Sequence, residues 1–415
     1  MNKKKLYPLY LSALALCAVS ASAQSTTTTT TTTTAPAAPA AAAPAAPAAP
    51  AAAPTSPVST PSMEGPLAVN VKPESFAIPD FGTIYVSGAV TAIALADSPK
   101  FYGEKSAISD ISNAQVFVQK VDGDFQFFVD VGAYSFPTVG VPYTTAGNTN
   151  SYTFGALPIG FVKWAPTSAF SLEAGKLPTL IGAEYAFTYE NMNISRGLLW
   201  NQEPVVSRGV QANYTAGPVA YSLSWNDGFY SDRFNWVSGA ATWTINSSNT
   251  LEFIAGGNLG TTDYGTSATP EVVNNDKEIY NLIYGYTSGQ WVLQVYGQYA
   301  DSGNSRAIAT KATSSTGFGF LANYAVPNTS WNLSARVEEE STSGSPVDGS
   351  ANLLYGAGSK AWSFTFTPSY QSGPLFARGE VSFVGASDTT SGAAFGSSGT
   401  STSQVRFAIE TGILF

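Results

Sequence analysis

The chain has 415 residues, 28 of them acidic against 19 basic and none of them histidine, for a formal net charge of −9. Without imidazole, Ser-His and Asp-His catalysis and His-ligated metal are excluded, and the acidic balance disfavours nucleic acid as a partner. Charged residues make up 11% of the chain and aromatics 13%, against about 25% charged in soluble domains; this fits a sheet that meets an apolar solvent better than a soluble enzyme, with a secreted glycosylated adhesin as the competitor on composition.

Residues 1–23 read as a secretory signal. Lys3, Lys4 and Lys5 form the basic end, Leu6 to Val19 the apolar run, and Ala21-Ser22-Ala23 the cleavage site. The apolar run falls short of the roughly 20 residues of a helical span, and no later stretch approaches it. Cys17, the single cysteine, lies inside this leader, so no disulfide or thiol chemistry is expected in the mature chain. Without the three leader lysines, 16 of the 19 basic residues remain against 28 acidic, a net charge of −12.

Residues 24–66 follow as a Thr run, an Ala/Pro tract and a Ser/Thr/Pro stretch. Such a composition builds no core and favours an extended spacer. We expect a disordered periplasmic linker, with tethering to the cell wall as an alternative role, and then a lead-in segment over 67–82.

From Thr83 to Phe415 alternating strands are joined in turn by tight turns and long polar loops. Hairpin chemistry falls at Asp122-Gly123-Asp124, Ala165-Pro166-Thr167, Ala216-Gly217-Pro218, Asn246 to Asn249, Ser288-Gly289, Pro327-Asn328 and Ser372-Gly373-Pro374. Longer connections lie near 95–112, 135–151, 178–206, 227–235, 258–276, 301–314, 340–350 and 386–403. Seven short turns and eight long loops give 16 strands with both ends on the short-turn side, the asymmetry of an outer-membrane barrel. The segment 351–370 fits either one long strand or two short ones.

The strand faces agree. Trp331, Leu333, Ala335 and Val337 alternate with Asn332, Ser334, Arg336 and Glu338, and Leu375, Ala377, Val381 and Phe383 with Phe376, Arg378, Glu380 and Ser382. Charge falls on the parity opposite the apolar row, which places Glu252, Arg336, Glu338, Arg378, Glu380, Arg406 and Glu410 in a lumen. A charge on the lipid face would cost about 2–4 kcal/mol at mid-depth. Trp164, Trp243, Trp291 and Trp331 sit near short turns, and Trp225 and Trp236 flank a long loop; all but Trp236 share the apolar parity, as an interfacial girdle requires. The last strand alternates Val405, Phe407, Ile409, Thr411, Ile413 and Phe415 with Arg406 and Glu410. Phe407, Ile409, Ile413 and Phe415 are the expected membrane-insertion residues of this terminal strand, which would engage the barrel-assembly machinery.

The third long loop holds Lys176, Glu184, Glu190, Arg196, Glu203 and Arg208, together with Leu177, Leu180, Ile181, Phe187, Leu198 and Leu199. It is too apolar for a loop left in water, so we expect it to fold into the lumen as a constriction with charges on facing walls; a loop covering the barrel mouth is the alternative. Gly175-Lys176, Ile181-Gly182-Ala183-Glu184, Asn191-Met192-Asn193-Ile194-Ser195-Arg196-Gly197-Leu198-Leu199, Pro204 and Arg208-Gly209-Val210, followed by Ser224-Trp225-Asn226-Asp227-Gly228, resemble the putative β-barrel porin-2 (OmpL-like) family. The resemblance covers most of the chain after Phe81 and is sharp only over 175–228. It implies an outer-membrane barrel that passes small solutes and names none of them.

The expectation is therefore an all-β, 16-stranded antiparallel transmembrane β-barrel in the bacterial outer membrane, with outer-membrane lipids around it and small hydrophilic solutes or ions diffusing through it. Cation selectivity is expected from net charge, and a homo-trimer is one possible assembly. No enzyme activity, cofactor or metal is expected. A structural barrel anchored through its Ala/Pro-rich linker is the alternative function, and an outer-membrane hydrolase, lacking histidine, ranks behind both.

Overall fold

The computed structural model describes residues 65–70, 72–260, 277–304 and 310–415. The signal peptide and the Thr/Ala/Pro linker therefore lie almost wholly outside the described residues. Seventeen strands form one antiparallel sheet. They run β1 Glu74–Ile78, β2 Gly82–Ser98, β3 Ile108–Lys120, β4 Phe125–Tyr134, β5 Ile159–Thr167 and β6 Phe170–Pro178. Then come β7 Val206–Ala216, β8 Val219–Asn226, β9 Trp236–Asn246, β10 Asn249–Asn258, β11 Lys277–Ser288 and β12 Trp291–Ser302. The last are β13 Thr313–Ala325, β14 Trp331–Thr342, β15 Lys360–Ser372, β16 Leu375–Ser387 and β17 Ser403–Leu414.

Each strand from β2 onward pairs with the next, and β17 pairs back onto β2 from Val405↔Ser98 to Leu414↔Ala89. With β1 outside the ring, sixteen strands close the barrel. Closure removes the sheet edges that hydrocarbon could not hydrogen-bond. The seam is completed by the last residue: Phe415 N–H donates to Gly88 O at 3.0 Å and Gly88 N–H to Phe415 O at 2.8 Å. Gly88 has no room for a side chain, since a Cβ there would lie 2.6 Å from the Phe415 ring. Below the seam the remaining edge of β2 is covered by β1, with Glu74↔Val86 to Ile78↔Gly82 in register.

Side-chain parity follows the sequence reading. On β17, Phe407 and Ile409 are 59% and 64% exposed, whereas Arg406 and Glu410 are buried. Exposed Trp164, Trp225, Trp243, Trp291 and Trp331 stand on the outer face; Trp236, the parity exception, is buried inside against Phe229 at 5.5 Å between ring centroids. Near the short-turn end Trp291 meets Tyr324 at 4.6 Å and Trp331 meets Tyr370 at 5.2 Å, across paired strands.

Connections differ from expectation in detail. The chain reverses after Thr167, where Thr167 pairs with Phe170, two residues beyond the expected Ala165-Pro166-Thr167 turn; the register shifts between Trp164 and Thr167. Segment 351–370 holds the start of one strand, and residues 351–359 belong to the preceding loop, where Gly356 and Gly358 take positive φ. The second loop extends to Pro158 and contains a helix, α1, Ala146–Tyr152. No helix among the described residues is long and apolar enough to cross a membrane.

Candidate functional site

The loop between β6 and β7, residues 179–205, turns inward and is buried along almost its whole length. Its apolar residues divide between two clusters. Tyr185, Phe187, Tyr189 and Trp200 pack with inward-facing Phe117, Phe128 and Tyr134, while Ile181, Leu198 and Leu199 pack with Trp236, Ile254 and Tyr296. The loop thus spans the barrel from β3 and β4 to β9–β12.

Its third attachment is polar and comes from the opposite wall. Glu380 on β16 accepts from the amides of Ile194 at 2.6 Å and Ser195 at 3.1 Å. Glu338 on β14 accepts from the amide of Leu198 at 3.0 Å and from Ser363 Oγ at 2.7 Å. Arg336 bridges Glu184 and Glu338 and donates to Ser195 O at 2.8 Å; Gly197 N–H donates to Glu184 at 2.7 Å. A side chain on Gly197 would collide with the Glu338 carboxylate, its Cβ falling 1.9 Å from Oε1. Arg378 pairs with Glu410 and donates to Asn191 O at 3.0 Å and Thr188 O at 2.8 Å. Burying ions is costly unless partners and hydrogen bonds compensate; here Arg336, Glu338 and Arg378 each meet an opposite charge and loop backbone, Glu410 meets Arg378 and two hydroxyls, and Glu380 meets loop amides and the Thr367 hydroxyl.

The expected site residues separate accordingly. Glu184, Glu190, Arg196 and Glu203 lie in the loop inside the barrel, and Glu190 accepts from Phe187 N–H at 2.8 Å. Arg336, Glu338, Arg378, Glu380 and Glu410 form the wall that grips it. Glu252 faces inward on β10 and accepts from Thr242 Oγ1 at 2.8 Å. Arg406 faces inward but serves the second loop, donating to Thr138 O and Val141 O while paired with Asp97. Lys176 and Arg208 depart from the expectation: they stand on β6 and β7, opposite each other, on the same parity as the exposed Leu172 and Val210. Lys176 donates to Phe154 O and Leu157 O, Arg208 pairs with Asp227 and Asp232, and both lie over the Tyr230 ring. They clip neighbouring loops at the rim. Along β14, Glu338 and Glu340 point inward and Glu339 outward. No group of three or more acidic side chains among the described residues is arranged to hold a metal ion.

Several contributors carry no signal in the sequence. Asn113 and Thr188 join β3 to the loop at 2.6 Å, Gln298 Nε2 reaches Leu199 O at 2.8 Å, and Lys277 donates to Gln202 Oε1 at 3.0 Å. Polar residues on inward parity are common here, and parity alone does not say which of them the loop touches. Several buried polar atoms of the loop have no protein partner among the described residues: the three guanidinium nitrogens of Arg196, Trp200 Nε1 and both oxygens of Glu203. Arg196 lies 5.8 Å from the Trp200 ring.

Solved barrels share this architecture. An anion-selective porin from Comamonas acidovorans is 12% identical with a TM-score of 0.54 over 82% of this chain and 100% of its own. The outer-membrane channel DcaP of Acinetobacter baumannii gives 12% and 0.54 over 82% and 99%. The trimer form of OmpT from Vibrio cholerae gives 11% and 0.53 over 80% and 99%. A comparison with curated proteins found no match. At these identities the likeness establishes the fold. Family membership rests on the sequence: the model of the family described as "Putative beta-barrel porin-2, OmpL-like" matches residues 83–415, so the chain belongs to that family of outer-membrane porins.

Proposed function

We propose that this outer-membrane channel is a passive diffusion porin for small hydrophilic solutes, in which loop 179–205 narrows the lumen. The supporting observation is the seat of that loop, held by apolar contacts at β3–β4 and at β9–β12 and by Glu338, Glu380, Arg336 and Arg378 on a third stretch of wall. A loop so fixed sets a steady aperture rather than a fluctuating one. Buried polar atoms on Arg196, Trp200 and Glu203 without a protein partner among the described residues leave donors and acceptors for bound water inside the loop. Cation preference is part of the proposal: Arg336 stands between two carboxylates, and Glu190 forms no ion pair among the described residues.

The porin is proposed to assemble as a homo-trimer, the form described for the similar Vibrio cholerae barrel. The surface that fits is a shallow outer groove of Ala212, Leu223, Gly239, Ala241 and Phe253, on a side where the strands are short: β5, β6 and β8 have nine, nine and eight residues. The Thr/Ala/Pro linker is proposed to lie in the periplasm.

Single-channel recording of purified protein with neutral sugars of graded size tests the proposal. Discrete conductance steps blocked by small sugars and indifferent to large ones are expected, with reversal potentials on the cation side. A folded barrel without conductance overturns the porin reading, and anion preference overturns the selectivity clause alone.

A further inference from the structure

The described chain begins inside the barrel. Gly65 N–H donates to Glu190 O of the inward loop at 3.1 Å, and a Cβ on Gly65 would lie 2.6 Å from Asn191 O. Leu67 is 3% exposed and belongs to the same buried cluster as Tyr189 of the loop and the inward-facing Phe117, Phe376 and Leu414. Ala68 is held through its main chain at both groups: its N–H donates to Gln371 Oε1 at 2.7 Å, and its carbonyl accepts from Gln371 Nε2 at 2.9 Å. Gln371 lies at the short-turn end of β15, whereas the segment continues into β1 beside β2. Residues 65–70 therefore run along the periplasmic mouth from beneath Glu190 and Asn191 to the foot of β15, before the chain turns to β1 beside β2.

We propose that residues 65–70 form an internal strap that narrows the periplasmic exit and props the inward loop from below, so that this segment helps to set conductance and solute cutoff. The placement argues for it. A lead-in that served only to join a leader to the first strand would have no reason to enter the lumen. Here its one fully buried side chain, Leu67, is seated among inward-facing residues, and its main chain is bonded to both the loop and β15. The glycine at 65 permits the close approach to Asn191 that a larger residue forbids.

The inference rests on the diffusion-porin reading, and one experiment separates the two. Conductance and sugar cutoff are recorded in planar bilayers for the full-length protein, for Leu67→Asp, which places a charge in the apolar seat, and for Gln371→Ala, which removes the clamp on Ala68. Both variants are expected to show roughly doubled conductance and to admit larger sugars, because conductance follows the narrowest cross-section. If the parent conducts and both folded variants match it in conductance and cutoff, the strap does not limit the pore and the inference falls while the porin reading stands. Silence in all three proteins removes the porin reading and the inference with it. Should Leu67→Asp fail to give a heat-modifiable folded barrel, Gln371→Ala, altered at a surface contact, decides alone.

Discussion

Glu338 and Glu380 take backbone amides of the inward loop on a carboxylate, whose two oxygens offer about four acceptor sites. Replacing Glu380 by Ala leaves the Ile194 and Ser195 amides buried without an acceptor, at about 1–3 kcal/mol for each unsatisfied group. Glu380→Ala is expected to unfold at lower urea in detergent and to give a larger, noisier channel; unchanged midpoint and conductance would show that the loop does not depend on this grip. A second residue makes a pH prediction. Burial pushes the Glu104 carboxyl up from its usual range, although it accepts from the amides of Phe101 and Tyr143 at 3.0 Å each. A carboxyl raised on folding adds stability that is fully present below its unfolded value and is lost as pH rises through the folded one. Hydrogen-exchange protection at the Tyr143 amide should therefore fall as pH rises above the usual carboxyl range in the parent and stay level in Glu104→Gln. Parity made the inward charges legible at this scale. It could not resolve Lys176 and Arg208, because a family motif that runs across a strand end looks continuous in sequence while the strand end divides it between rim and lumen.

Among the elements, the sixteen strands were readable because two independent signals coincided, turn chemistry every hairpin and apolar alternation between turns. Where one signal was missing, the boundary moved. The segment around Gly356 and Gly358 has no alternation to show that it is loop, and α1, with sequence AGNTNSY, has no apolar stripe to betray a helix. The strap at 65–70 was invisible for a similar reason: the three consecutive apolar residues Leu67, Ala68 and Val69 show neither a strand nor a helix period. The strand reading itself is open to measurement. Ile409 sits at the middle of β17 and is 64% exposed, so Ile409→Arg should cost about 2–4 kcal/mol of folding free energy in liposomes. The same change at a position that faced water would cost far less, and a urea titration that showed no shift would remove Ile409 from the lipid face.

For the whole molecule, the apolar outer groove on β7–β10 makes assembly testable. Leu223 is 61% exposed at its centre. Light scattering of the detergent-purified parent is expected to give a mass of three chains, and Leu223→Arg a mass of one. A parent that is already monomeric would end the trimer proposal. The manner in which the wall holds the inward loop carries a broader implication. Glu338, Glu380, Arg378 and Gln298 contact peptide groups of that loop, at Leu198, Ile194, Asn191 and Leu199 among others, and ignore what those residues carry as side chains. Side chains turned toward the passage can thus be exchanged while the scaffold keeps its hold, so the filter and its mounting are free to diverge at separate rates.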